Sequence, residues 1–315
     1  MRPRRSALLL AVATVVPLAA ACGSSTPSPA KATTTTASSS SSTGPTVAPK
    51  GHGKVAVLYA GSLIDLMEHH VGPAFDGATG YTFQGFAGGS KALAKEIKGK
   101  VRQGDVFLSA SPKPNLDLEG KANGRWVSWY ATFATSPLVI GYDPKSRFAS
   151  QLETKPWWQV VTEPGFELGR TDPKLDPKGA LTVEALDQAA AAHHDPALAE
   201  LAKGTSGVFP ETDLVGRLQA GQLDAGFFYS VEAAAVHPSL PTLSISPVHL
   251  AATYTITVLR GAPDRSGAVA FLGYLLGPGA EATLAAAGLH EMKPSLSGQS
   301  SDVPSGLRPV LPLSP

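Results

Sequence analysis

From residue 54 onward the chain alternates short apolar runs with stretches of helical period. Residues 54–59 (KVAVLY) form an apolar run of strand length that stops at Ala60-Gly61-Ser62, and Leu63, Leu66 and Met67 follow at helical spacing. Residues 81–86 predict a second strand, ended by Ala87-Gly88-Gly89-Ser90, with a helix over 91–98 behind it. A third strand is predicted at 105–110 (DVFLSA) and a fourth at 137–142 (PLVIGY), the latter closed by the turn pair Asp143-Pro144. Further strands fall at 166–169, 223–229 and 253–259, and helices at 181–192, 267–276 and 280–287. Strands alternating with helices imply right-handed crossovers and a parallel sheet covered on both faces. The pattern is that of an α/β protein with two lobes.

Before residue 54 the pattern changes. Arg2, Arg4 and Arg5 precede an apolar run over 7–16, too short for an ordinary transmembrane helix, and Ala19, Ala20 and Ala21 then lead into Cys22. Residues 1–22 read as an export signal. Cys22 is the one cysteine of the chain, which excludes an intrachain disulfide and a multi-cysteine zinc site. Its position resembles a bacterial lipoprotein signal, which implies that Cys22 becomes a lipidated N-terminus; the plain alternative is an ordinary signal with a chance cysteine. Residues 23–53 are almost wholly Ser, Thr, Ala, Pro, Gly and Lys, too poor in apolar surface to offset the entropy of ordering, so they predict a disordered leash.

Charge sharpens this division. The 315 residues carry 26 basic and 25 acidic side chains, a net of +1, but five of the basic ones and none of the acidic ones lie in residues 1–53. The body that follows therefore holds 21 basic against 25 acidic groups, a net of −4. That sign argues against nucleic acid as a partner. Any attraction for an anion has to be local.

One arrangement could supply it. Strand, small-residue loop with serine, then helix occurs twice, at Gly61-Ser62 and at Gly89-Ser90. In an open parallel sheet, ligands bind beyond the carboxyl ends of the strands. A helix N-terminus there presents unpaired N–H groups and the positive end of a dipole, glycine lets the backbone come close, and serine adds a donor. The alternative is that Ser62 and Ser90 are helix N-caps. On the residues alone both readings stand. No nucleotide P-loop spacing, Gly-x-Gly-x-x-Gly or Gly-x-Ser-x-Gly elbow is present. His69-His70 and His193-His194 are adjacent pairs, which point apart on a helix and read as surface residues, and Trp157-Trp158 reads as packing between lobes.

The ordered set VLYAGSL, GFAGGSKALAKEI, GDVFLSAS, SPLVIGYDP, TDPKLDPKG, PETDLVGRLQAGQLDAGFFYSVEAA and YTITVL resembles the periplasmic molybdate/tungstate-binding proteins of ABC importers, above all the tungstate/molybdate branch with its AGSL start. The resemblance covers nearly all of 54–292. It implies a two-lobed type II periplasmic-binding fold, each lobe a mainly parallel sheet flanked by helices, with molybdate or tungstate held between the lobes and no catalytic cofactor. Position by position, Ser62 and Ser90 match the loop serines, Gly61 and Gly89 the supporting backbone, and Tyr229 a tyrosine beside the site. Asp176 and Glu211 match the two carboxylates that can complete octahedral coordination of the bound molybdenum or tungsten. The central loop departs from the family's Asn-Pro-x-x-Asp-Pro-Cys-Gly form: Asp172 stands for the asparagine and Lys178 for the cysteine, which alters the local charge.

A bare carboxylate beside a tetrahedral dianion costs about a few kcal/mol in a low-dielectric cleft. Asp176 and Glu211 are thus sensible for an anion whose central atom accepts further ligands, and not for sulfate or phosphate. On the residues alone they read as surface acids, one in a loop and one at a helix start. The expectation is a monomeric, extracytoplasmic lipoprotein that captures molybdate or tungstate for an ABC permease and catalyses nothing. Its domains would be the signal 1–22, the leash 23–53, a first lobe of 54–134 plus 253–292, a second lobe of 135–252, and an extended tail 293–315. The alternatives are a binding protein of this fold for another oxyanion or a small carboxylate, an extracytoplasmic hydrolase using Ser62 or Ser90 with a histidine, and a lipoprotein of structural or adhesive role.

Overall fold

A computed structural model describes residues 51–311; the expected export signal, Cys22, the leash up to residue 50 and the last four residues of the chain lie outside them. The sheet starts from β1 (Lys54–Ala60), whose valines and aromatic residue favour extended backbone. It pairs in parallel with β2 (Thr82–Gly88) on one side and β3 (Val106–Ser109) on the other. Val55, Val57 and Tyr59 face one apolar cluster and Leu58 faces another, with Leu93, Ile97 and Phe107. Burial on both faces explains why the run is apolar rather than alternating. The register sets Ala60 opposite Gly88, so the loops that leave β1 and β2 emerge side by side.

Two strands run through both halves of the sheet. β4 (Trp129–Tyr142) and β9 (Ala251–Val258) pair antiparallel, with Thr135 opposite Thr253. The first part of β4 also pairs with β10 (His290–Gly298), and its last part with β7 (Ala225–Tyr229) and β8 (Thr242–Ser244). Beyond β7 the sheet becomes parallel again through β5 (Leu168–Thr171) to β6 (Val208–Phe209). The order is β2-β1-β3-β9-β4-β7-β5-β6, with β8 and β10 alongside β4. Parallel pairing therefore occupies the outer parts of the two lobes, and the strands shared between them run antiparallel.

Several elements differ from the sequence expectation. The strand expected at 137–142 begins eight residues earlier, because 129–136 carries no turn signal and is buried along most of its length. The helix expected after β1 is irregular: a 3₁₀ turn over Gly61–Leu63, a π-type stretch over Leu66–Val71, and α-helix only at Gly72–Thr79. The stretch expected as an extended tail is packed. Its start is β10, and Val303, Leu307 and Leu311 are buried. Ser- and Pro-rich composition concealed those few anchoring residues. Trp157 packs edge-on against Phe227, and Trp158 stacks on His193 at 4.0 Å, so the tryptophan pair serves the lobe built on β7 rather than a contact between lobes. Among the described residues no helix is long and apolar enough to cross a membrane.

Candidate functional site

Each sequence-selected site residue follows the carboxyl end of a strand or starts a helix. Ser62 lies in the turn after β1, and Ser90 opens the helix Ser90–Lys98 after β2. Asp176 ends the loop after β5 and precedes the helix Pro177–His193; Glu211 opens the helix Glu211–Gln219 after β6; Tyr229 ends β7. All five are buried. Three helix N-termini thus converge from different parts of the chain, and their positive dipole ends supply the local potential that an acidic body lacks.

Neither serine is a side-chain cap. Ser62 Oγ lies 2.9 Å from the Tyr254 hydroxyl, and Ser90 Oγ accepts from the Ala110 amide at 3.1 Å. Accepting leaves the Ser90 O–H free to donate elsewhere. Tyr254 in turn sets its ring edge-on to Tyr229, centroids 6.2 Å apart. Burial raises both phenols well above the ordinary tyrosine value, so they are neutral donors.

Asp176 does cap its helix. Its Oδ1 accepts from the Thr171 hydroxyl at 2.9 Å, the Lys178 amide at 2.8 Å and the Gly179 amide at 3.4 Å, while Oδ2 has no partner among the described residues. Among the described residues Glu211 has no hydrogen bond at either carboxyl oxygen, and neither has the Tyr229 hydroxyl. Buried polar atoms are paired as a rule. Four without a hydrogen bond lie together on Asp176, Glu211 and Tyr229, one of them, Glu211 Oε1, in an ion pair with Lys178, and they fit a group bound there. Burial first, and then the Asp176 charge, lifts the Glu211 carboxyl well above its usual range against the pull of Lys178.

The backbone is as close as the side chains. A Cβ on Gly61 would meet Glu211 Cγ at 3.1 Å, and one on Gly89 would meet the Leu175 carbonyl oxygen at 2.6 Å. The Ala92 amide donates to that same carbonyl at 2.9 Å, and Lys91 Nζ to the Pro173 carbonyl at 2.7 Å. Glu211 stands between two grooves. One, of about 320 Å³, is lined by Gly88, Gly89, Asp176 and Pro210; the other, of about 480 Å³, by Ser62, Leu66, Val231 and Glu232.

Sequence reasoning missed four neighbours. Lys178, noted there only as a departure, is wholly buried, with Nζ 2.6 Å from Glu232 Oε1 and 3.5 Å from Glu211 Oε1. Burial lowers its affinity for a proton, but Glu232, Glu211 and Asp176 outweigh that and hold it above the ordinary lysine value. Glu232 is fixed by the Tyr229 amide, which donates to its Oε2 at 2.8 Å. A glutamate three residues after a strand-ending residue is a helix-start signature that could have flagged it. Tyr254 and Thr171 were hidden inside strands. The histidine pairs stay apart from all of this: His69 and His70 are exposed and face Asp65. Among the described residues neither site serine has a histidine as hydrogen-bond partner. Among the described residues no cluster of three or more His, Cys, Asp or Glu is arranged around a resident metal.

The chain is similar to known proteins in sequence and in fold. A Haloferax volcanii protein named, provisionally, an ABC transporter molybdenum-binding protein is 31% identical over 230 residues, 68% of this chain and 71% of that one. The molybdate/tungstate-binding protein of Pyrococcus abyssi is 25% identical over 247 residues, 62% of this chain and 70% of the other. In structure, the periplasmic molybdate-binding protein of Azotobacter vinelandii superimposes with a TM-score of 0.57 at 18% identity, covering 75% of this chain and 98% of that one, a likeness of fold. The two-lobed architecture is that of type II periplasmic binding proteins, and the matching family and named relatives are solute-binding proteins rather than enzymes, which sets aside the serine hydrolase. The profile of the bacterial extracellular solute-binding proteins matches residues 55–290, and the chain belongs to that family.

Proposed function

We propose that this protein captures molybdate or tungstate outside the cytoplasm and delivers it to the permease of an ABC importer. The observation that carries this is the convergence of unpaired buried oxygens on Asp176, Glu211 and Tyr229 among helix N-termini. Two carboxylates facing a dianion are repulsive unless they bond to its central atom, and molybdenum and tungsten accept further ligands where sulfur and phosphorus do not. Ser62, Ser90, Tyr229 and the backbone around Gly61 and Gly89 would hold the oxygens, and Asp176 and Glu211 would complete the coordination. The names of the Haloferax and Pyrococcus relatives support the same ligand class. The lobes assigned as 54–134 plus 253–292 and 135–252 would close about the shared strands β4 and β9, the closed form being what a permease recognises.

The test is ligand-linked stability. Micromolar molybdate or tungstate should raise the melting temperature of the purified protein, by the equivalent of about 2.7 kcal/mol at a hundredfold excess over Kd. Sulfate should do so only at far higher concentration. Equal responses to sulfate and tungstate would remove the metal-oxyanion reading and leave a binding protein for another anion.

The anchor is part of the proposal. Cys22, after its run of alanines, would carry the lipid that holds the protein at the membrane. Cys22→Ala should move the protein from the membrane fraction to the soluble extracytoplasmic fraction. A variant that stays with the membranes would remove the anchor.

A further inference from the structure

Lys178 is in a place that neither helix electrostatics nor packing favours. It is the second residue of the helix Pro177–His193, where the dipole repels a cation, and its side chain is 0% exposed. Burying an ammonium is costly unless it is paired. What accounts for it is the carboxylate group around it. Of its three N–H donors, one goes to Glu232 Oε1 at 2.6 Å, and Glu211 Oε1 lies 3.5 Å away without a hydrogen bond. The rings of Phe228 and Tyr229, 5.5 and 5.7 Å from Nζ, close off the other side.

The two carboxylates are not equivalent. Glu232 is held by the Tyr229 amide and cannot swing. Among the described residues Glu211 has no hydrogen bond to hold it, only the Lys178 ion pair, and it lines both grooves. The ammonium is therefore tied to a fixed partner while its charge acts on the free one. We propose that Lys178 is a specificity-determining residue: its ammonium offsets the Glu211 charge that faces the bound anion, so that the site also admits, weakly, tetrahedral dianions that form no bond to a carboxylate. Asp176, Glu211 and Glu232 without Lys178 would confront an entering dianion with carboxyl groups alone and no positive charge. Tungstate regains that repulsion through coordination. Sulfate does not, so sulfate depends on Lys178 more.

The inference rests on the oxyanion reading, and its test separates the two. The Lys178→Met, Glu232→Gln double variant removes both charges of the buried pair together, which spares the fold the cost of a lone buried ion. Competition calorimetry with tungstate, molybdate and sulfate is run on the full chain, Lys178→Met, Glu232→Gln and the double variant. Lys178→Met should lose at least about tenfold more affinity for sulfate than for tungstate, and the double variant, which removes one charge of each sign, should keep a ratio near that of wild type. Glu232→Gln alone frees the ammonium and should strengthen sulfate several-fold, the opposite sign. A purely structural clamp predicts no change of the sulfate-to-tungstate ratio in Lys178→Met or in Glu232→Gln, and that result would overturn the proposal. So would wild-type protein that binds tungstate and no sulfate even at high concentration. Wild-type protein that binds neither tungstate nor molybdate overturns the parent reading instead.

Discussion

Gly89→Val should abolish high-affinity tungstate binding and leave the protein folded. Gly89 has φ −60° and ψ 128°, an extended conformation that valine adopts without strain, so the loop after β2 tolerates the change on its own account. What it does not tolerate is the loop opposite. A Cβ at this position would lie 2.6 Å from the Leu175 carbonyl oxygen and 3.3 Å from Asp176 Cβ, and a backbone carbonyl cannot rotate out of the way. The same carbonyl accepts from the Ala92 amide, and Lys91 reaches the Pro173 carbonyl, so the clash falls on the clasp between the two parts of the site. Closure is then denied, and apparent affinity falls with the population of the closed form. We expect a loss of about 100-fold or more, ~2.7 kcal/mol. Calorimetry gives the affinity and small-angle scattering the closure: the wild type should contract with tungstate and the variant should not. A variant that binds as tightly as wild type would show that closure at Gly89 is not what holds the ligand.

The parts of the site that could be read from the chain share one property: they are local. Gly61-Ser62 and Gly89-Ser90 announce themselves because each follows an apolar run and precedes a helical one, and the register of β1 with β2 then sets the two loops side by side. Asp176 and Glu211 look from the residues like surface acids at helix starts. They do start helices, but both are buried, and only resemblance to a family pointed to them beforehand. The Lys178–Glu232 pair spans 54 positions, and the Ser62–Tyr254 contact spans 192. No periodicity or spacing rule reaches that far, so these contacts exist only once β4, β7 and β9 bring the segments together. The same reason hid β10. With Pro294 in its middle and most of its residues exposed, it has no apolar signature and is a strand because β4 offers it an edge.

Glu211→Gln should have effects of opposite sign on stability and on function. In the free protein this carboxyl is buried without a hydrogen bond, beside Asp176 and 3.5 Å from an ammonium already committed to Glu232. Burial and Asp176 already disfavour the charged form of this carboxyl, so an amide relieves that cost, and it can donate to the Asp176 oxygen that lacks a partner. The ligand-free variant should therefore gain about 1 kcal/mol in a denaturant titration, within the range for relieving an unsatisfied buried group. Tungstate, in contrast, loses a coordinating oxygen, and its affinity should fall by about 10- to 100-fold, as for a site stripped of a buried charged partner. Sulfate forms no bond to the carboxylate and meets less repulsion without it, so its affinity should stay level or rise. The ratio of tungstate to sulfate affinity is the decisive reading. If Glu211→Gln weakened both anions equally, Glu211 would be shaping the cleft rather than bonding to the metal. A stabilised free protein with a collapsed ratio is the signature of a carboxylate kept at a cost to the fold because the ligand needs it there.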